Sequence, residues 1–291
     1  MKLYELYRLL FLTAITSFLL FSCRNNSSNP ANTPLLYQDS GSKALVIVVE
    51  NKNLLDMVNE QTYELFKADI LPIFSDMFTV PQDSMQNLTL AEIIDKYGEQ
   101  WQLNQIADSA KGYDRIVKLN KQTATVQCLL DSLKMLGSEG YTIDMVFNLH
   151  GSMTTILFND KEIDIGTLTQ SIKDNGIRIR ALYQTTCYAK YMLPFWNNIG
   201  VFAVNGAADN NQIVLFSSAY FVSQWISGKT FEDAVYSAYN MEIATLRSYN
   251  DRIPIDTYIL TPQVLANSRQ YVSGRDQKIL WKNIPAIPPK I

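Results

Sequence analysis

A chain of 291 residues that is 47% hydrophobic and 18% charged holds enough apolar material for one large domain or two small ones, which excludes disorder as the default. Its 25 basic and 28 acidic residues leave a net charge of −3, and no run of Lys or Arg builds a local basic patch, so nucleic acid is not an expected partner. Three cysteines cannot make a disulfide framework, and Cys23, Cys128 and Cys187 show no zinc-binding spacing; His150 is the only histidine, so any chemistry needing imidazole must use it.

The first elements are an address rather than a fold. Lys2 and Arg8 form a positive start, and Leu9 to Phe21 is an apolar run of secretory length, too short to span a bilayer comfortably. It ends in Leu20-Phe21-Ser22-Cys23, which resembles the bacterial lipobox, whose cysteine is lipidated and becomes the mature N-terminus. The alternative is an ordinary cleaved signal peptide with an incidental cysteine; export follows from either. Arg24 to Ser42 is rich in Asn, Ser and Pro and reads as a tether. The expected organisation is therefore a lipoprotein signal peptide (1–22), a flexible tether (23–43) and one α/β domain (44–291), exported and held at the cell envelope by lipid on Cys23.

From Ala44 to Val49 the chain is an unbroken, mostly β-branched apolar run, the pattern of a strand buried on both faces. Asn53 to about Lys111 mixes helical periodicity with Pro72 and Pro81 and reads as mostly helix. Tyr113 to Leu119 predicts a short strand. Val126, Leu129, Leu130, Leu133 and Leu136 then form the apolar stripe of an amphipathic helix, with Gly137 and Gly140 where it should end. Cys128 lies beside that stripe and is assigned to packing. Met145 to Leu149 predicts the next buried strand, followed directly by His150-Gly151. Thr154 to Phe158 and Glu162 to Ile165 flank Asn159-Asp160-Lys161 and suggest a hairpin; a helix near Leu168 to Lys173 ends at Asn175-Gly176. The strand Ile177 to Tyr183 runs into Gln184-Thr185-Thr186-Cys187, and a further strand, Ile199 to Asn205, precedes Gly206-Ala207-Ala208-Asp209. Helices over Val214 to Ile226 and Thr230 to Leu246 follow, the second opened by Thr230 with Asp233 as a weakened capping box. Past Asn250 the chain reads as irregular, with Pro285, Pro288 and Pro289 marking an extended tail.

Alternating strands and helices imply a mainly parallel sheet flanked by helices, and such sheets place their sites beyond the carboxyl ends of the strands. His150 and Cys187 both fall there. A thiol attacks as thiolate, and a neighbouring imidazole stabilises that ion and can protonate a leaving amine. The backbone N–H groups of Gly151 and Cys187 are candidate oxyanion donors.

A hydrophobic strand ending in His-Gly, followed some tens of residues later by a second ending in Cys, resembles the clan CD cysteine peptidases: caspases, clostripain, gingipains, legumain and separase. The likeness covers roughly Tyr113 to Asn240, including Tyr113-Asp114-Arg115-Ile116-Val117, and is nearest to the clostripain-like and caspase-like bacterial members. It implies a caspase-like three-layer sandwich, a dyad of His150 and Cys187 without an obligatory third member, an oxyanion hole that includes Gly151, peptide or protein substrates, and no metal or other cofactor. Acidic residues often line the specificity pocket of the basic-specific members, which makes Asp209 the candidate here, beside the plainer reading that it caps a turn. The chain departs from several relatives in carrying Thr186 before the cysteine and Tyr188-Ala189-Lys190 after it. Two functions follow as expectations: a membrane-anchored cysteine endopeptidase, or a catalytically silent caspase-like module for binding or assembly at the cell envelope. A serine hydrolase is excluded, because His150-Gly151-Ser152 would consume the sole histidine and no Gly-x-Ser-x-Gly elbow exists.

Overall fold

A computed structural model describes residues 37–38, 41–50 and 57–285. Cys23, the signal peptide and most of the tether lie outside the described residues, as do Pro288 and Pro289. The chain divides into two units, Met1–Leu36 and Tyr37–Ile291, and the second carries the fold. Among the described residues no helix is long and apolar enough to cross a membrane.

The first strand, β1 (Lys43–Glu50), is buried along almost its whole length. Ala44, Val46 and Val48 face one side of the sheet and Leu45, Ile47 and Val49 the other, and each set enters a separate core. That two-sided burial is why the run is continuously apolar instead of alternating. The remaining strands of the sheet are β2 (Arg115–Asn120), β3 (Thr142–Leu149), β6 (Ile179–Gln184), β7 (Ala203–Ala207) and β8 (Gln270–Ser273), with the hairpin β4 (Thr155–Leu157) and β5 (Glu162–Asp164) lying apart from it. The order across the sheet is β2-β1-β3-β6-β7-β8, parallel up to β7 and antiparallel at the β8 edge. This is the mainly parallel α/β architecture that the alternating pattern predicts.

Helices cover both faces. The connection from β1 to β2 carries α1 (Met57–Phe78) and α2 (Glu99–Ser109), the latter reached from a short helix, Leu90–Ile93, through a π-type turn, Ile94–Gly98. The predicted helical content of this stretch is present, with a kink at Phe66 in α1. Leu103 and Ile106 of α2 pack on one face with Phe221, Val222 and Trp225 of α6 (Ser217–Ile226) and Phe231, Ala234 and Val235 of α7 (Phe231–Arg247). On the opposite face lie α3 (Val126–Ser138), α4 (Ile165–Asp174) and α5 (Leu193–Asn198), contributing Leu129, Leu133, Leu168, Ile172 and Trp196. A third, smaller core joins Tyr63, Ile70 and Ile73 of α1 to Ile93, Ile253 and Leu260.

The helix ends obey local chemistry. Gly137 lies inside α3, and Gly140, at φ +81°, ends it: the Gly140 N–H reaches Gly137 O at 3.2 Å and Tyr141 N–H reaches Leu136 O at 3.1 Å, the paired bonds of a Schellman motif. Cys128 packs against the core and takes no part in the strand-end cluster. At α7, Thr230 accepts the Asp233 N–H at 3.1 Å, while the Asp233 carboxylate is bonded by the Thr230 hydroxyl at 2.6 Å instead of reaching back to the Thr230 backbone, the geometry a shortened capping box dictates.

Two readings from sequence are corrected. The predicted strand from Ile199 begins only at Ala203, because Ile199 and Gly200 (φ +84°) close α5: the Gly200 N–H bonds Asn197 O at 3.0 Å and the Val201 N–H bonds Trp196 O at 3.3 Å. Val201 is buried in that turn, and a buried apolar turn reads from sequence like the start of a strand. Past Asn250 the chain is not irregular throughout: it forms short helices at Ile255–Tyr258 and Pro262–Asn267, supplies the edge strand β8, and returns at Ile284–Pro285 to pair antiparallel with Tyr37–Gln38.

This last segment is also tied in from below. At the amino ends of β3 and β6, the Arg180 guanidinium and the Asp144 carboxylate form a fully buried ion pair. Arg180 Nε donates to Asp144 Oδ1 at 2.9 Å, and Nη1 donates to the carbonyls of Trp281 and Asn283 at 2.7 and 2.8 Å. The Tyr113 hydroxyl donates to the same carboxylate at 2.9 Å, and burial, followed by the Asp144 charge, pushes that phenol well above its ordinary range. A buried charge pair with this many partners holds chain segments in one arrangement at the end of the sheet opposite the candidate site.

Candidate active site

Strands β3 and β6 are parallel neighbours with Phe147 opposite Gln184. His150 and Cys187 each stand three residues beyond that pair. They therefore leave adjacent strand ends at the same level of the sheet, where parallel neighbours run about 4.8 Å apart. The Thr185 N–H continues the pairing, donating to Phe147 O at 2.9 Å.

Gly151 shows how closely the two loops meet. The hairpin pairs with it across an antiparallel bridge to Ile156, in which the Leu157 N–H donates to His150 O and the Ser152 N–H to Thr155 O, both at 2.9 Å. Those bonds flank Gly151, so its own N–H stays outside the pairing. A Cβ on Gly151 would lie 2.5 Å from Thr155 O and 2.5 Å from the methyl of Thr186, the residue before the cysteine. Glycine is required here by close approach on two sides, one of them the turn that leads into Cys187.

The turn after the cysteine is held from the other side. Tyr188 sits in the left-handed region at φ +56°, uncommon for an aromatic residue. Its N–H donates to Asp209 O at 2.8 Å, and its hydroxyl bonds the Asp209 carboxylate, which by that bond and its charge raises the phenol above its ordinary value. A Cβ on Gly206, in β7, would lie 2.5 to 2.6 Å from the backbone of Ala189 and Lys190, so this turn rests directly on the strand.

The half-buried sulfur of Cys187 has partners that the sequence did not single out. The thiol donates to Asn210 Oδ1 at 3.1 Å, and the Asn211 N–H donates to Sγ at 3.3 Å. Asn211 also holds the preceding residues, its Nδ2 donating to Thr185 O at 2.9 Å. The only signal available beforehand was an Asp-Asn-Asn run after an apolar strand, which reads simply as a turn. Asp209 is occupied within that turn: besides Tyr188, its carboxylate accepts the Asn210 N–H at 2.8 Å, and its own N–H donates to Asn267 O at 2.8 Å. Among the described residues no group of three or more His, Cys, Asp or Glu is placed to hold a metal ion.

No protein-family model and no curated protein matches the sequence. Among solved structures, the complex of the pro- and mature domains of RgpB from Porphyromonas gingivalis is similar at TM-score 0.45 and 11% identity, over 84% of this chain and 49% of that one. A secreted C11 cysteine protease from Bacteroides thetaiotaomicron, iotapain, is similar at TM-score 0.39 and 10% identity, over 69% of this chain and 62% of that one. A secreted C11 cysteine protease of the same organism in complex with an irreversible peptide inhibitor gives TM-score 0.38 and 8% identity, over 71% and 60%. This chain spans between about half and three fifths of the length of these structures.

Proposed function

We propose that this protein is an exported, lipid-anchored cysteine endopeptidase of clan CD type, with Cys187 as nucleophile and His150 as its acid and base. The observation that carries the reading is the register of β3 and β6, from which the sole histidine and a cysteine project at equal distance beyond one paired position. The Cys187 thiolate attacks the substrate carbonyl carbon, forming the C–S bond. The N–H groups of Gly151 and Cys187 receive the oxyanion, and collapse breaks the C–N bond as His150 protonates the departing amine. Water, deprotonated by His150, then hydrolyses the thioester and restores the thiol. The substrate is a peptide or protein, and neither step needs a metal. Asp209 is engaged by Tyr188 and Asn210, so selectivity for a basic residue would require it to exchange the Tyr188 bond for the substrate's charge.

The test is hydrolysis of a fluorogenic peptide library by the full-length chain. Cys187→Ala and His150→Ala are each expected to lower kcat/KM by roughly a thousand-fold or more, since members of such a unit are not additive. Turnover that survives Cys187→Ala would refute the assignment. A wild-type chain with no turnover and with a Cys187 that alkylates as slowly as an ordinary thiol would leave the silent binding module as the reading.

A further inference from the structure

The sulfur of Cys187 is flanked by a segment that the dyad chemistry does not use, residues Asp209, Asn210 and Asn211 at the end of β7. Every one of them touches the nucleophile's turn. Asp209 takes the Tyr188 N–H and hydroxyl, Asn210 takes the thiol proton at 3.1 Å, and Asn211 gives its N–H to the sulfur at 3.3 Å while its side chain holds Thr185 O at 2.9 Å. The segment is anchored from behind by the C-terminal part of the chain. Ala208 N–H donates to Arg269 O at 2.9 Å, Asp209 N–H to Asn267 O at 2.8 Å and Gln212 N–H to Ser268 Oγ at 3.1 Å.

We infer that Asn210 is a positioning residue that serves both protonation states of Cys187, with the Asn211 N–H as a fixed donor to the thiolate. This rests on the reading of Cys187 as nucleophile. The argument is one of donors and acceptors. A thiol offers one weak donor, and a thiolate only accepts. The Asn210 carboxamide carries an acceptor and a donor related by a half-turn about its terminal torsion, so Oδ1 receives the proton of the thiol and Nδ2 can face the thiolate once that proton has gone. The Asn211 N–H points at the sulfur in either state and, as a dipole aimed at developing negative charge, favours the thiolate. No backbone movement is needed, because both residues lie in a segment already bonded on two sides.

An aspartate at position 210 keeps the size and the acceptor but removes the donor and adds a negative charge. The titratable groups in the strand ends and turns that meet at the sulfur include His150 beyond β3, Tyr188, Lys190 and Tyr191 in its own turn, the Lys190 ammonium lying 4.7 Å from the Tyr191 ring centroid, and Asp209 beyond β7; none of these changes in the variant.

The experiment is the rate of Cys187 alkylation by iodoacetamide as a function of pH, on the full chain carrying Cys128→Ser so that a single described thiol reports, with a Cys187→Ala control to subtract any other labelling. Asn210→Asp is expected to move the midpoint of the profile upward by about one pH unit or more, a roughly ten-fold slower reaction at neutral pH, because a like charge at this distance disfavours the thiolate. Asn210→Leu, equal in size and without charge, is expected to move it less. Circular dichroism establishes that both variants are folded. A profile unchanged in Asn210→Asp would overturn the inference, and so would an equal shift in Asn210→Leu, since that would show a packing effect alone. The dyad itself is read separately in the same assay from His150→Ala, so a failure of the Asn210 role and a failure of the nucleophile assignment give different results.

Discussion

Substituting Gly151 by Ala tests the central geometry with the smallest possible change. The added methyl would lie 2.5 Å from Thr155 O and 2.5 Å from Thr186 Cγ2, with Met192 Cε at 3.3 Å. Carbon contacts settle near 3.5 to 4.0 Å, so relief requires about 1 Å of movement on each crowded side. One obstacle is backbone of the hairpin, and the other belongs to a fully buried residue adjoining Cys187. Overpacking of this kind costs typically about 1–3 kcal/mol of stability. A displacement of about 1 Å between reacting groups costs roughly a hundred-fold in rate. Gly151→Ala is therefore expected to lose about 1–3 kcal/mol in urea denaturation and to lower kcat by roughly two orders of magnitude. Thr186→Ser removes the obstructing methyl, so the double variant should recover part of both losses, a coupling that a double-mutant cycle measures directly. Gly151→Ala with wild-type stability and turnover, or a cycle with no coupling energy, would refute the claim that these two loops are in contact.

Cys23→Ser should abolish incorporation of labelled fatty acid into the chain in the bacterial host and release it from the membrane fraction; unchanged labelling would refute the lipid anchor. Glu242, fully buried on α7, accepts the backbone N–H groups of Leu215, Phe216 and Ser217 at the start of α6, and burial pushes its carboxyl above the ordinary value despite those donors. Its protonated form is thus the one the fold favours: this contribution is complete below about pH 4.5, declines as pH rises through the raised folded value and is then constant. Glu242→Ala should remove that pH dependence while costing about 3 kcal/mol or more through three abandoned donors, as read by urea denaturation between pH 4 and 8.

What was legible in the sequence follows from what leaves a periodic trace. The run Ala44 to Val49 announced a central strand because both of its faces are covered, and the stripe from Val126 to Leu136 announced α3 because only one of its faces is. His150 and Cys187 stood out as rare reactive residues directly after such segments. The edge strand β8 left no comparable trace: Gln270-Tyr271-Val272-Ser273 is four residues long, half polar and only partly buried, and it enters the sheet through pairing with β7. Asn210 and Asn211 were illegible for another reason. Their contacts bring one amide and one backbone N–H to a sulfur more than twenty residues away in sequence, and such contacts impose no spacing.

The cysteine turn is fixed by three strand ends together, and the two glycines that touch it say how tightly. Beyond β3, Gly151 admits the Thr186 methyl; within β7, Gly206 admits the backbone of Ala189 and Lys190; in neither place does a side chain fit. The two residues between these contacts are Cys187 and Tyr188, the latter in a left-handed conformation that an aromatic residue adopts only where its surroundings impose it. A buried structural cysteine needs no such arrangement, because filling space requires neither a backbone clamped on both sides nor an N–H aimed at the sulfur. Chemistry at sulfur does require it, since a nucleophile misplaced by about 1 Å forfeits most of its rate. With the sulfur as the reacting atom, as proposed, the strain at Tyr188, the two glycine contacts and the Asn211 N–H share one explanation.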